Sequence, residues 1–246
     1  MSIISFYRPV IAVPPDSGSG GQGSNFFAWE FDGNLTDNTN QYTWTGLSPT
    51  YVAGGYDQAA RFGYGNISIS PIGNEFRLSW DKPWAIIART RTTTSSGTAF
   101  FTIHIDTPTD ANRAAFFELS RRLFRVAVYA SDNTSEFKQS TALASTGNWN
   151  FIVFRYDPAN QKQLDLFVYS AGLSNGGGYI ESYTFTKDFR PDSQYTINQS
   201  INIRYVTPNE ELDQFAIVYN SVLSDQDIDH LYNSSNGIVF PTGFNN

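Results

Sequence analysis

From residue 26 onward, short apolar runs alternate with clusters of Gly, Pro, Asn, Asp and Ser, and within many runs apolar and polar side chains take turns. A period of two is the signature of a half-buried β-strand, whose successive side chains point to opposite faces of a sheet. Phe124-Arg125-Val126-Ala127-Val128-Tyr129 and Leu164-Asp165-Leu166-Phe167-Val168-Tyr169 show it most clearly. The pattern predicts strands over 26–31, 59–63, 66–70, 75–80, 84–91, 98–105, 113–119, 122–130, 149–156, 163–170, 179–186, 200–205 and 212–219. Between them, Gly54-Gly55, Ser95-Ser96-Gly97, Asp132-Asn133 and Gly176-Gly177-Gly178 mark turns. Many short strands at this spacing predict an all-β fold of two packed antiparallel sheets. Trp149 falls within one such strand and reads as a core ring.

Two stretches break the pattern. Over 225–234 the period lengthens to that of a helix, with Ser224 as N-cap and Asp227 at its third position, a variant of the capping box. Leu223 is placed to staple onto Ile228, and Ile228 and Leu231 face the sheets. At the other end, residues 1–15 crowd Ile3, Ile4, Phe6, Tyr7, Val10, Ile11 and Val13 into a strand-like arm closed by Pro14-Pro15. Residues 16–25 follow with the Gly/Ser composition of a flexible linker. The arm is either a first strand of the same body or an anchor that adds to a partner's surface as an extra strand. The second reading is preferred, so the chain divides into an anchor arm and linker over 1–25 and one domain over 26–246.

Composition sharpens this picture. The 246 residues suffice for one large β-domain, which buries roughly 70–75% of its unfolded surface. Aromatic residues make up 16% and charged residues only 16%, as suits bulky rings filling the gap between sheets. There is no cysteine, which excludes a disulfide framework and thiolate metal sites. A net charge of −7 without a basic run argues against a nucleic-acid partner. No stretch reaches the ~20 apolar residues of a membrane span, so no membrane insertion is expected. Arg8 and Pro9 interrupt the N-terminal apolar run, and no signal peptide is read there.

Several segments match a known pattern in order. Trp29-Glu30-Phe31-Asp32-Gly33-Asn34-Leu35-Thr36-Asp37 has the form of an opening strand and turn. Tyr51 through Gly63 carries Gly54, Gly55, Ala59, Ala60 and Phe62 at matching positions. Phe76-Arg77-Leu78-Ser79, Trp84 through Thr90, and Trp149 through Asp157 supply the central strands. Glu211-Leu212-Asp213-Gln214-Phe215-Ala216-Ile217-Val218-Tyr219-Asn220-Ser221-Val222-Leu223-Ser224 leads into the final helix. Together, over about residues 26–234, these resemble the laminin-G-like, concanavalin A-like jelly-roll family. The sequence departs from that pattern at Ser170-Ala171-Gly172 and at Ile203-Arg204. The resemblance implies a two-sheet antiparallel jelly roll with one short C-terminal helix.

The resemblance also suggests sites. Jelly rolls of this kind often hold calcium near the opening turn or final strand, which makes Asp32, Asp37, Asp57 and Asp213 the candidate ligands of the one cofactor considered. Sugar recognition needs exposed rings as stacking platforms beside a few polar groups. Trp44, Tyr51, Tyr56, Trp80 and Trp84 lie near loops or strand ends and are the candidates. Arg121, Arg122 and Arg125 form the densest basic spot, read as a solvated hairpin rather than a grip for an acidic partner. Glycosidases on this fold alternate carboxylates along one strand; here Glu211 and Asp213 are followed by Phe215 where a third carboxylate would stand. His104 and His230 lie far apart in sequence, and no catalytic set emerges. The expectation is therefore a non-enzymatic attachment protein of a larger assembly, such as a virion decoration or fibre component on a capsid or fibre, held by its arm and displaying the jelly roll. It would be assembled in the host cytoplasm and stand on the virion surface, as a monomer or homo-oligomer. A freestanding carbohydrate-binding module for a cell-surface glycan is the alternative, and a glycoside hydrolase or lyase the third.

Overall fold

The computed structural model describes residues 26–37, 42–55, 57–63, 65–69, 80–92, 99–106, 115–120, 123–130, 132, 134–143, 147–160, 162–170, 178–189, 200–206 and 210–233. They form β1 (Phe26–Trp29), β2 (Thr45–Gly46), β3 (Thr50–Ala53), β4 (Gln58–Arg61), β5 (Gly65–Ile69), β6 (Trp84–Thr92), β7 (Ala99–Asp106), β8 (Ala115–Ser120), β9 (Leu123–Tyr129), β10 (Ser135–Leu143), β11 (Trp149–Tyr156), β12 (Gln163–Ser170), β13 (Gly178–Thr184), β14 (Ser200–Val206), β15 (Glu210–Tyr219) and α1 (Asp225–Asn233). One sheet has eight strands, ordered β13-β12-β11-β6-β15-β4-β3, with β1 also on β15; the other has seven, ordered β10-β9-β8-β7-β14-β5-β2. β6 runs along one side of β15, while β4 takes Glu211 and Leu212 on the other and β1 takes Phe215 through Val218. Every pairing between these strands is antiparallel, as expected of a jelly roll.

The main core lies between the sheets. Ile86, Ile152, Phe154, Leu166, Phe215 and Ile217 of the larger sheet meet Ile67, Ile69, Phe124, Val126 and Val128 of the smaller one. A second core covers the outer face of the larger sheet. There Ile87, Val153, Phe167, Ala216 and Val218 pack with Leu223, Ile228 and Leu231. This is why Phe151-Ile152-Val153-Phe154 is an unbroken apolar run instead of alternating: its strand is buried on both faces. Leu223, Ile228 and Leu231 are each wholly buried, worth roughly 1.5–3 kcal/mol apiece.

The helix starts where the capping pattern places it. Ser224 Oγ accepts the Asp227 N–H at 3.1 Å, and Asp227 Oδ2 accepts the Ser224 N–H at 3.1 Å. Arg155 ties that end to the sheet: Nη1 donates to the Leu223 carbonyl at 2.8 Å and to Asp225 Oδ1 at 2.6 Å, and Nη2 to Asp165 Oδ2 at 2.7 Å.

The strands β2, β3 and β10 were not expected from the pattern. β10, Ser-Glu-Phe-Lys-Gln-Ser-Thr-Ala-Leu, looks polar because it is an edge strand paired only to β9. Its side chains link the two sheets along one flank. Glu136 Oε2 accepts the Thr186 N–H at 2.7 Å, the Thr186 hydroxyl at 2.9 Å and the Lys187 N–H at 3.1 Å. Burial opposes ionisation of Glu136, but hydrogen bonds from Lys138, Thr186 and Lys187 outweigh it and hold the carboxyl at about 2. Nearby, the Thr141 and Tyr179 hydroxyls are 2.9 Å apart, and Tyr179 and Tyr183 both donate to Glu181. Of the expected strand over 75–80, residues 75–79 lie outside the described residues, and Trp80 begins a turn.

Candidate functional site

Three of the rings proposed as sugar platforms belong to the core. Trp44 is 1% exposed, packed against Trp29 and Phe215 with centroids 5.8 and 5.3 Å away. Trp80 and Trp84 are 6% and 2% exposed and pack on each other and on Tyr156. The Tyr156 hydroxyl donates to the Trp80 carbonyl at 2.7 Å. Rings near strand ends fill the space between the sheets, so proximity to a turn does not make them surface groups. Tyr51 is half-buried against that core, and desolvation raises its hydroxyl above the ordinary range. Tyr56 lies outside the described residues, as do Arg121, Arg122 and the arm residues Ile3, Ile4, Phe6, Tyr7, Val10, Ile11 and Val13. Arg125 packs over exposed Phe137 at 5.7 Å and donates to Gln139.

Asp32, Asp57 and Asp213 border the Gly54–Gln58 turn and Asp37 lies apart from it, and among the described residues no three His, Cys, Asp or Glu side chains gather as metal ligands. Two of the four aspartates organise backbone instead. Asp32 Oδ1 accepts the Gln58 N–H at 2.9 Å, and Asp37 Oδ1 the Tyr42 N–H at 2.7 Å. Asp57 is exposed, and its carbonyl closes the turn by accepting the Gly54 N–H at 3.1 Å. Asp213 is the extra residue of a bulge in β15, between Leu212 opposite Thr90 and Gln214 opposite Arg89. It is 1% exposed and lies against Gly54 and Gly55.

That bulge borders a cluster on the outer face of the larger sheet. Register places Glu211 opposite both Arg91 and Arg61, and Trp149 opposite Arg91. The Glu211 side chain is fully buried, while those of Arg61 and Arg91 are 41% and 26% exposed. Arg61 donates through Nε and Nη2 to Glu211 Oε1, and Arg91 holds Oε2 through Nε, at 2.5 Å, and Nη2. Arg91 Nη2 also reaches the Ala53 carbonyl at 3.3 Å, and its guanidinium lies 4.6 Å from the Trp149 ring centroid. Thr90 Oγ1 donates to the Glu211 carbonyl at 2.9 Å. A Cβ on Gly55 would sit 3.3 Å from Trp149 Cδ1, so the turn after β3 lies against the indole.

Trp149 is thus half-buried rather than a core ring, and it differs in this from Trp29, Trp44, Trp80 and Trp84, all at most 6% exposed. Sequence reasoning weighed Glu211 but missed Arg61, Arg91 and this role of Trp149. The available signal was Arg89-Thr90-Arg91 in a strand, which puts two guanidiniums on one face. Glu211 itself is a poor candidate acid or base, since two guanidiniums already saturate its carboxylate.

No protein-family model matches the sequence, and no curated protein matches it. Solved structures do. The binding domain of Paraclostridial Mosquitocidal Protein 1 is 14% identical at a TM-score of 0.60, over 85% of this chain and 51% of that one. The Botulinum neurotoxin serotype D binding domain is 11% identical at 0.60, over 84% and 50%. The binding domain of Botulinum Neurotoxin DC, solved in complex with SialylT, is 12% identical at 0.57, over 85% and 51%. The chain has a two-sheet antiparallel jelly-roll fold. It spans about half the length of the structures it matches, and at these identities the likeness is one of fold.

Proposed function

We propose that this chain is a non-enzymatic binding module, a lectin-like sandwich that a larger assembly displays for attachment to a receptor surface. The observation that carries this reading is the fold shared with three binding domains, each matched over more than four fifths of this chain. The state of Glu211 supports it: the best-placed strand carboxylate for glycoside hydrolysis is consumed by Arg61 and Arg91. Affinity electrophoresis of the full chain in gels cast with acidic and neutral polysaccharides tests it. Retarded migration without shortening of the polysaccharide is expected, and released oligosaccharide product would overturn the non-enzymatic reading.

The finer reading is a virion decoration or fibre component anchored by its N-terminal arm. Its support is the sequence of the arm, where seven large apolar side chains precede a Gly/Ser linker. Deleting residues 1–24 should leave the melting temperature of the domain nearly unchanged while abolishing incorporation into the particle. Normal incorporation of the truncated chain would remove the anchor role.

A further inference from the structure

We infer that the rim formed by Arg61, Arg91, Trp149 and the Gly54-Gly55 turn is the ligand site, and that its ligand is an anionic saccharide carrying a carboxylate or sulfate. This deepens the binding-module reading and rests on it. Two features of the cluster point to an anion. Glu211 engages Nε and Nη2 of both arginines, and neither Nη1 has a partner among the described residues. Each guanidinium therefore keeps donors unused while its plane is fixed from below by a side chain with no exposure. Two cations also share that one carboxylate, leaving a positive charge uncompensated within the triad. The neighbouring acids are covered: Asp213, its carboxylate packed against the Gly54-Gly55 turn, is 1% exposed, and Glu210, 2% exposed, alternates to the opposite face of β15. Guanidiniums held in advance lose little freedom on binding and match the planar geometry of a carboxylate or sulfate.

Two further features favour a sugar. Trp149 offers the partly exposed indole of the described face, and indoles supply apolar stacking area at low entropic cost. Gly54 and Gly55 let the adjoining turn press against Trp149 and Asp213 where a side chain would not fit, and so buttress the indole as a fixed platform. A ring-sized apolar platform beside two fixed charge-assisted donors fits one residue of an acidic glycan.

The test uses the full chain on an array pairing sialylated and sulfated oligosaccharides with their neutral parents. Wild type should prefer the acidic members. Arg61→Gln should weaken that binding by roughly ten- to hundredfold, the worth of a charge-assisted hydrogen bond, with the fold retained by circular dichroism because Arg91 still neutralises the buried Glu211. Arg61→Lys should restore only part of the loss, since the ammonium lacks the fork. Trp149→Phe should weaken acidic glycans while retaining a ring in the strand. Acidic binding that ignores both positions would overturn the site and leave the binding module standing. Equal capture of a poly-glutamate peptide would overturn the saccharide assignment. If no glycan binds at all, both the inference and the lectin-like reading fall.

Discussion

Replacing Gly54 with alanine adds one methyl group at a place where the structure has no room for it. Its Cβ would stand 2.6 Å from Asp213 Oδ1 and 2.8 Å from both the carbonyl carbon and oxygen of Gln58. Neither neighbour moves cheaply. Gln58 opens β4, pairs with Ala53 and has its N–H held by Asp32, and Asp213 is fixed by the bulge of a strand paired on both sides. Overpacking of this kind costs about 1–3 kcal/mol. For a domain of this size that lowers the melting temperature by roughly 2–12 °C. Gly63 provides the internal control. An added Cβ there meets nothing within 4 Å, so Gly63→Ala should be neutral or stabilising by about 0.4–1 kcal/mol. Thermal and urea unfolding of the two variants beside wild type makes the comparison, and near-ultraviolet circular dichroism reports the setting of Trp149. A Gly54→Ala protein that melts with wild type, or no more than about 0.5 kcal/mol below it, would show that the turn does not pack on Asp213 as described.

Two more perturbations follow from other parts of the fold. Leu231→Ala, at a wholly buried position between α1 and the larger sheet, should cost about 2–5 kcal/mol in urea unfolding; a loss under ~1 kcal/mol would mean the helix is not docked there. Glu136 titrates lower when folded, at about 2 against an ordinary 4.5, so its contribution is complete above pH ~4.5 and fades as the pH falls towards 2. The stability gap between wild type and Glu136→Gln should accordingly be widest at pH 7, shrink below pH ~4.5 and close only as the pH falls through about 2, and a gap independent of pH would refute the role given to its hydrogen bonds.

Strands with strong local patterns were legible in the sequence: β11 and β12 occupy the expected 149–156 and 163–170. α1 begins at the expected residue, Asp225, because the capping pair at Ser224 and Asp227 is a local signal. β15 was not fully legible, since it begins at Glu210 and not at Leu212. Two consecutive glutamates read as loop until partners more than a hundred residues away are known to bury one of them. The same distance hid the candidate site. Arg61, Arg91, Trp149 and Glu211 come from four strands, and only strand order and register make them neighbours. Composition also misled, because tryptophan near a turn looks the same in sequence whether it faces water, as Trp149 partly does, or fills the core, as Trp44 does.

The position of β15 has a consequence for biosynthesis. Residues 210–219 insert between β6 on one side and β4 and β1 on the other, joining pieces of the larger sheet that are otherwise separate. A ribosome must therefore translate through residue 219 before that sheet can close, and until then the flanks of β6, β4 and β1 stand open as templates for wrong partners. A premature stop before residue 210 would not yield a slightly shorter domain but a larger sheet broken into a four-stranded piece, a two-stranded piece and the lone β1, all prone to aggregate.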